Sequence, residues 1–302
     1  MRFCKRKGAL LLNSIKLRTI HNIKSALKCF IPATYTKAEK IKVEIDQQYD
    51  MLNKQLSRCI NTIDLVHAKV DKEIPIIEKA RREGAESVWA AVFHDTITAS
   101  DWLKEKKFSP GRWALGYPAL YILYRVLNDR KPTSILELGL GQSTRMIAQY
   151  AAANPQIRHV VVEADPLWID CFSQDYSLPK NTVIKQMNYE MESWNGYDVR
   201  VYKGFQDSFA EEKFSFFVID APTGGDLEKY SRIDILKVMP NILNNDFIIL
   251  IDDFNRRTEK NTVELVEKCL EEHGIEYNRG TYSGEKDSIL ICAKHLQFLT
   301  SM

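Results

Sequence analysis

Ser134-Ile135-Leu136-Glu137-Leu138-Gly139-Leu140-Gly141-Gln142-Ser143-Thr144 is the stretch on which the fold turns. Residues 134–138 form a short apolar run of strand character, and residues 144–153 read as a helix. Between them, Gly139 and Gly141 permit a tight turn and let a ligand come close to the backbone. Outward from this unit, strand and helix alternate. Strands are expected at 159–163, 182–186, 214–220 and 246–252, and helices at 166–173, 230–243 and 258–273. Two further strands, 276–282 and 288–293, flank Ser283-Gly284 and form an antiparallel hairpin at one edge. The pattern predicts an α/β fold with a mostly parallel sheet covered on both faces.

In such a sheet, ligands bind beyond the carboxyl ends of the strands, so the last residue of each strand is where chemistry belongs. The second strand ends in Glu163, 22 residues after Gly141, where a carboxylate can accept both hydroxyls of a ribose. A dinucleotide fingerprint requires glycine at position 144, and this chain has Thr144, which disfavours a nicotinamide enzyme. Two more strands end in Asp220 and in Asp252-Asp253. Three carboxylates on adjacent strand ends repel one another unless a cation compensates them. Oxygen-only ligands suit Mg²⁺ or Mn²⁺. The plainer alternative is that Asp252 or Asp253 caps the following helix.

Glu137-Leu138-Gly139-Leu140-Gly141 and Val162-Glu163-Ala164-Asp165 resemble the first two motifs of class I S-adenosylmethionine-dependent methyltransferases, over roughly residues 117–295. The resemblance implies a Rossmann-like, seven-stranded, mostly parallel sheet whose last strand is antiparallel. It implies that Gly139 and Gly141 face the methionine part of the cofactor, with Glu137 and Ser143 beside them and Glu163 on the ribose. An Asp followed one strand later by Asp-Asp is similar to the metal triad of catechol and macrocin-type O-methyltransferases, in which the metal binds the substrate hydroxyl. Asp220, Asp252 and Asp253 would be the ligands here. Gly139–Ser143, Asp220-Ala221-Pro222-Thr223-Gly224 and Asp252-Asp253-Phe254-Asn255-Arg256 also resemble the plant glucuronoxylan 4-O-methyltransferases. That likeness implies a saccharide acceptor, with Asp220 beside its hydroxyl and Arg232 and Arg256 holding the sugar or its carboxylate. The chain departs from that family at Gly225-Asp226-Leu227-Glu228.

The expected activity is therefore methyl transfer from S-adenosylmethionine to a hydroxyl of a saccharide or glycan intermediate. The alternative is a non-catalytic, nucleotide-binding coiled-coil scaffold in a surface-glycan assembly. Before the methyltransferase domain (131–302) lies a helical lead-in, residues 84–130, rich in aromatics. Its Trp113 and Tyr117 either pack in the core or line a cofactor or sugar site, and His94 is an unplaced candidate base. Residues 42–83 carry a heptad seam, Ile45, Tyr49, Leu52, Leu56, Cys59, Ile63, Val66 and Val70, which predicts a homo-oligomer through a coiled coil, the alternative being one long helix packed on the body. Glu73 and Pro75 should end the repeat.

Charge is distributed unevenly. The net +2 of the chain divides into +10 over residues 1–42, with eleven basic side chains and one acid, and −8 over the rest. Residues 1–41 thus read as a basic amphipathic arm suited to peripheral contact with an anionic membrane surface. The acidic remainder offers no basic face for a nucleic acid. Six scattered cysteines without a CxxC pair argue against a zinc site or a disulfide framework, and a cytoplasmic protein is expected. No apolar run is long enough to span a bilayer.

Overall fold

The computed structural model describes residues 32–302. In chain order the elements are α1 (Pro32–Ile97), α2 (Tyr117–Arg125), β1 (Ser134–Leu138), α3 (Gln142–Ala153), β2 (Arg158–Glu163), α4 (Pro166–Asp175), β3 (Thr182–Gln186) and β4 (Tyr189–Trp194). There follow β5 (Tyr197–Tyr202), α5 (Phe205–Phe209), β6 (Phe214–Ile219), β7 (Leu243–Ile251), α6 (Arg257–Glu272), β8 (Tyr277–Ser283) and β9 (Asp287–Ala293). The chain divides between Pro75 and Ile76 into two compact units.

The C-terminal unit contains a seven-stranded sheet in the order β3-β2-β1-β6-β7-β9-β8. Every strand pair is parallel except those made by β9, which runs antiparallel to both β7 and β8. This is the α/β sheet with an antiparallel last strand that the sequence predicts. Every residue of β6 is buried, as is required of a central strand covered on both faces. From β1 the chain builds outward through β2 to β3, then crosses back to place β6 on the other side of β1. The direction of winding therefore reverses between β1 and β6, and a crevice opens beyond their carboxyl ends.

Residues 76–97 of α1 belong to this unit. Phe93 and Ile97 are fully buried in the main core. Trp89 Nε1 donates to Ser283 O (3.1 Å), and Arg82 pairs with Asp287 (2.9 Å). Glu86 accepts the Tyr117 N–H at 2.6 Å and the Glu285 N–H at 2.9 Å. The last turns of α1 thus fasten the start of α2 to the β8–β9 turn.

One sequence expectation is corrected. Residues 230–243 are not an α-helix: only Asp234–Lys237 makes a 3-10 turn. Arg232 is held in a left-handed conformation (φ 54), and the buried Asp234 carboxylate accepts the Tyr202 N–H at 2.7 Å, so tertiary contacts override local helix preference. Pro75, expected to end the heptad repeat, lies inside α1, which continues to Ile97. A hairpin that the sequence reading omitted, β4–β5, turns at Asn195-Gly196, both with positive φ (49 and 80). An Asn-Gly pair is the usual signature of such a two-residue turn.

Within the N-terminal unit the seam residues Ile45, Leu52, Leu56, Ile63, Val66 and Val70 are 44–62% exposed. The expected basic arm falls mostly on residues 1–31, which lie outside the described residues. Among the described residues, no helix is long and apolar enough to cross a membrane.

Candidate active site

Two cavities meet over the crevice between β1 and β6. The larger, about 660 Å³, has Gly139, Leu140, Gly141, Ser143, Glu163 and Trp168 on one side and Trp113, Asp220 and Ala221 on the other. Its size is ordinary for a small-molecule site. Gly139 is held at φ +101, and a Cβ there would lie 3.0 Å from the Ala221 Cβ, so the β1–α3 turn has no room for a side chain. A Cβ at Gly141 would meet nothing within 4 Å, so glycine there leaves the cleft floor clear.

Glu163 stands at the carboxyl end of β2. Its Oε2 accepts the Leu140 N–H (3.0 Å), and its Oε1 accepts those of Ala164 (2.7 Å) and Asp165 (3.0 Å). Three amides fix the carboxylate, and a carboxylate offers about four acceptor positions, leaving capacity for a ligand hydroxyl. Asp165 caps α4 by accepting from the Leu167 and Trp168 amides, and Pro166 follows at the first helical position. That cap sets Trp168 at the cleft, where its Nε1–H donates to Leu140 O (2.8 Å).

The second cavity, about 360 Å³, is lined by Arg112, Trp113, Asp220, Thr223, Gly225, Asp226, Arg232, Asp253, Arg256 and Lys286. Arg112, Trp113, Asp220 and Thr223 line both cavities. Three of its residues are non-glycine yet left-handed: Arg112 (φ 55), Arg232 (φ 54) and Asp253 (φ 58). Such conformations cost on the order of 1–3 kcal/mol each and gather at binding sites.

Asp220, Asp252 and Asp253 converge as the sequence predicts, each offering an oxygen within 4.8 Å of the others. Neither Asp252 nor Asp253 caps α6, whose N-cap is Arg256. Their oxygens face cations. Asp252 accepts from Lys286 Nζ and, at 2.7 Å, from Ser288 Oγ. Asp253 pairs with Arg232 (2.7 Å), Arg256 (2.9 Å) and Lys286 (3.2 Å). Asp220 Oδ1 accepts from Arg232 at 3.1 Å, and Oδ2 has no partner among the described residues. Burial, reinforced by the Asp252 charge, pushes Asp220 up to about 7 against the pull of Arg232, although 17% of its side chain stays exposed at the cavities. Burial alone would also raise Asp253, but Arg232, Lys286 and Arg256 outweigh it and hold that carboxyl below its usual range. Lys286 remains charged: burial opposes this, and the three aspartates prevail.

Two predicted site residues have their polar groups committed within the protein. Glu137 is fully buried and not in the cleft wall; its Oε2 lies 3.0 Å from His159 Nε2, and His159 Nδ1 lies 3.2 Å from Thr182 Oγ1. In the β1–β2 register, Glu137 and His159 occupy the same face of the sheet, two residues apart, so strand alternation turns the carboxylate into the core. Arg232 is 2% exposed, and its guanidinium donates to Ile219 O, Pro222 O, Asp252 O, Asp220 and Asp253. All five N–H donors are thereby engaged within the protein, which leaves none for a substrate. Arg256 remains at the cavity wall. His94 pairs with the Tyr117 hydroxyl (3.3 Å) and lines neither cavity. Trp113, by contrast, is 87% exposed and is not a core residue.

Lys286, Arg112 and Trp168 escaped the sequence reading. Lys286 sits one residue before β9 and reaches its partners across the fold, so no local pattern marks it. Trp168 had a signal, an aromatic three residues after the Asp165 cap.

No family model matches the chain, and no curated protein matches it. Among solved structures it is similar to an O-methyltransferase from Bacillus cereus in complex with SAH: 16% identity, 70% of this chain and 91% of that chain, TM-score 0.43. It is similar to the Streptomyces achromogenes O-methyltransferase involved in tomaymycin synthesis, in complex with SAM: 13% identity, 69% and 89%, TM-score 0.40. It is also similar to spermidine synthase from Thermotoga maritima: 12% identity, 57% and 59%, TM-score 0.35. Each of these is a likeness of fold.

Proposed function

We propose that this chain is an S-adenosylmethionine-dependent O-methyltransferase whose acceptor is a hydroxyl of a saccharide or glycan intermediate. The observation that carries the reading is the position of Asp220. It closes the strand next to β1 and lies in the wall common to both cavities, where a donor in one and an acceptor in the other would meet.

S-adenosylmethionine supplies a methyl group on a sulfonium sulfur, an electrophile open to in-line displacement. The protein's part is alignment and removal of one proton. Glu163 would hold the ribose, the Gly139–Gly141 turn and Ser143 would bed the methionine end, and Trp168 with Leu140 would flank the base. Glu137 then serves as a core support of β1 through His159. Asp220 Oδ2, free of protein donors, accepts the acceptor's hydroxyl proton as the oxygen bonds to the methyl carbon. The positive charge of the sulfonium and the negative charge of Asp220 disappear together.

The saccharide reading rests on the second cavity. An almost fully exposed indole (Trp113) offers a flat apolar face to a sugar ring, and Arg112 and Arg256 offer planar donors to its oxygens. The residues do not fit a resident Mg²⁺ or Mn²⁺. A divalent ion needs oxygens turned toward it, and Lys286, Arg232 and Ser288 already hold those of Asp252 and Asp253. For the N-terminal unit we propose self-association of two copies, because the exposed 3–4 seam is self-complementary.

Isothermal titration with S-adenosylmethionine and S-adenosylhomocysteine tests the donor site. Binding of both is expected, and binding of neither would falsify the methyltransferase reading. Transfer of labelled methyl to saccharide acceptors of graded charge then identifies the acceptor.

A further inference from the structure

We propose that Lys286 occupies the place of a divalent cation among Asp220, Asp252 and Asp253, so that the site works with a built-in cation and Lys286 is its positioning residue. The inference rests on the methyl-transfer reading for its purpose, but on geometry alone for its content.

Asp220, Asp252 and Asp253 bring three negative charges to one place, and Lys286, Arg232 and Arg256 bring three positive ones. Five of the six carboxylate oxygens accept from a cation or from Ser288, and among the described residues only Asp220 Oδ2 is open. Lys286 is central to this arrangement. Its ammonium contacts Asp252 Oδ2, Asp253 Oδ1 (3.2 Å) and the Ala114 carbonyl (3.1 Å). The first two contacts bridge both aspartates, as a metal would. The third ties the carboxylates to residues 111–114, which carry Arg112 and Trp113 into both cavities. An ammonium has three donors, and all three are used on the protein, so Lys286 acts through the groups it holds and not on the acceptor itself. Arg232 lies behind, too deeply buried to exchange for a hydrated ion.

If the ammonium stands in for a metal, removing its charge while keeping its stem should create a metal site. The test is the free Mn²⁺ resonance, followed by electron paramagnetic resonance during titration with the full chain. The parent protein is expected to leave the signal unchanged. Lys286→Met should take up Mn²⁺ with affinity raised about tenfold or more, because a unit charge a few ångströms away has been removed. Adding Asp252→Asn to that variant should abolish the uptake. Uptake by the parent protein that is lost in Asp252→Asn would overturn the proposal. Absence of uptake by both the parent and Lys286→Met would overturn it equally, since no vacated cation place would exist. If Lys286→Met does not fold, Lys286→Gln, which can still donate to Ala114 O, carries the same test. Binding of S-adenosylhomocysteine in chelator, measured alongside, reports the donor cleft separately, so failure of the methyltransferase reading is distinguishable from failure of this one.

Discussion

Trp113 and Asp234 are single side chains whose replacement separates binding from stability. Because Trp113 is exposed, Trp113→Ala should leave the melting temperature unchanged. It should lower kcat/KM for the acceptor by about tenfold or more through loss of the ring face, with a smaller effect on S-adenosylhomocysteine affinity. Equal losses for donor and acceptor in steady-state kinetics and calorimetry would assign the indole to the donor instead. Asp234 is fully buried, and its Oδ2 has no partner among the described residues. Burial raises its carboxyl to about 7, so the native state favours the protonated form. That contribution is complete below the ordinary carboxylate range and disappears as pH rises through 7. Asp234→Asn should therefore melt a few degrees above the parent at about pH 8, with the gap narrowing as pH falls and closing near about pH 4 in thermal scans. Residues of this kind were hidden in the sequence. Asp220, Asp252, Asp253 and Glu163 were legible because each ends an apolar run and strand ends converge. Glu137 misled because the same logic does not say which face a strand residue takes. Lys286 and Glu86 were invisible because their partners are remote in sequence.

At the level of elements, the β1–α3 turn and α1 make opposite demands. The turn needs a residue without a side chain: Gly139→Ala should cost on the order of 1–3 kcal/mol in denaturant unfolding and weaken S-adenosylhomocysteine binding, because Ala221 stands at contact distance. The exposed seam of α1 needs a partner for its apolar stripe. Leu56→Glu should shift the chain to a lighter species in sedimentation, and a monomeric parent at micromolar concentration would end the coiled-coil proposal. Strand positions were read well from apolar runs because buried parallel strands leave little choice of composition. The β4–β5 hairpin was missed despite Asn195-Gly196, since its strands alternate half-buried and exposed residues and lack such runs. The helix expected at 230–243 failed because the left-handed Arg232 and the buried Asp234 answer to contacts with distant strands, not to local propensity.

At the level of the whole molecule, the division at Pro75 makes a clear statement about what the sheet requires. A chain beginning at residue 76 keeps Glu86, Trp89, Phe93 and Ile97 and should unfold cooperatively and bind S-adenosylhomocysteine like the full chain. A chain beginning at residue 98 loses two fully buried side chains and the carboxylate that joins Tyr117 to Glu285, and should fail to fold. The uneven charge, +10 over the first 42 residues against −8 elsewhere, changes sign well before that division, within the N-terminal unit. Composition alone, averaged to +2, conceals it.

The wall that the two cavities share has a thermodynamic consequence. Arg112, Trp113, Asp220 and Thr223 cannot adjust to an occupant on one side without changing the surface presented to the other. If one cavity takes the donor and the other the acceptor, as proposed, their affinities are linked, and the factor by which one strengthens or weakens the second must be returned in full. On the methyl-transfer reading proposed above, a spent donor and a methylated product would strengthen or weaken each other's binding by one and the same factor, set at those four side chains.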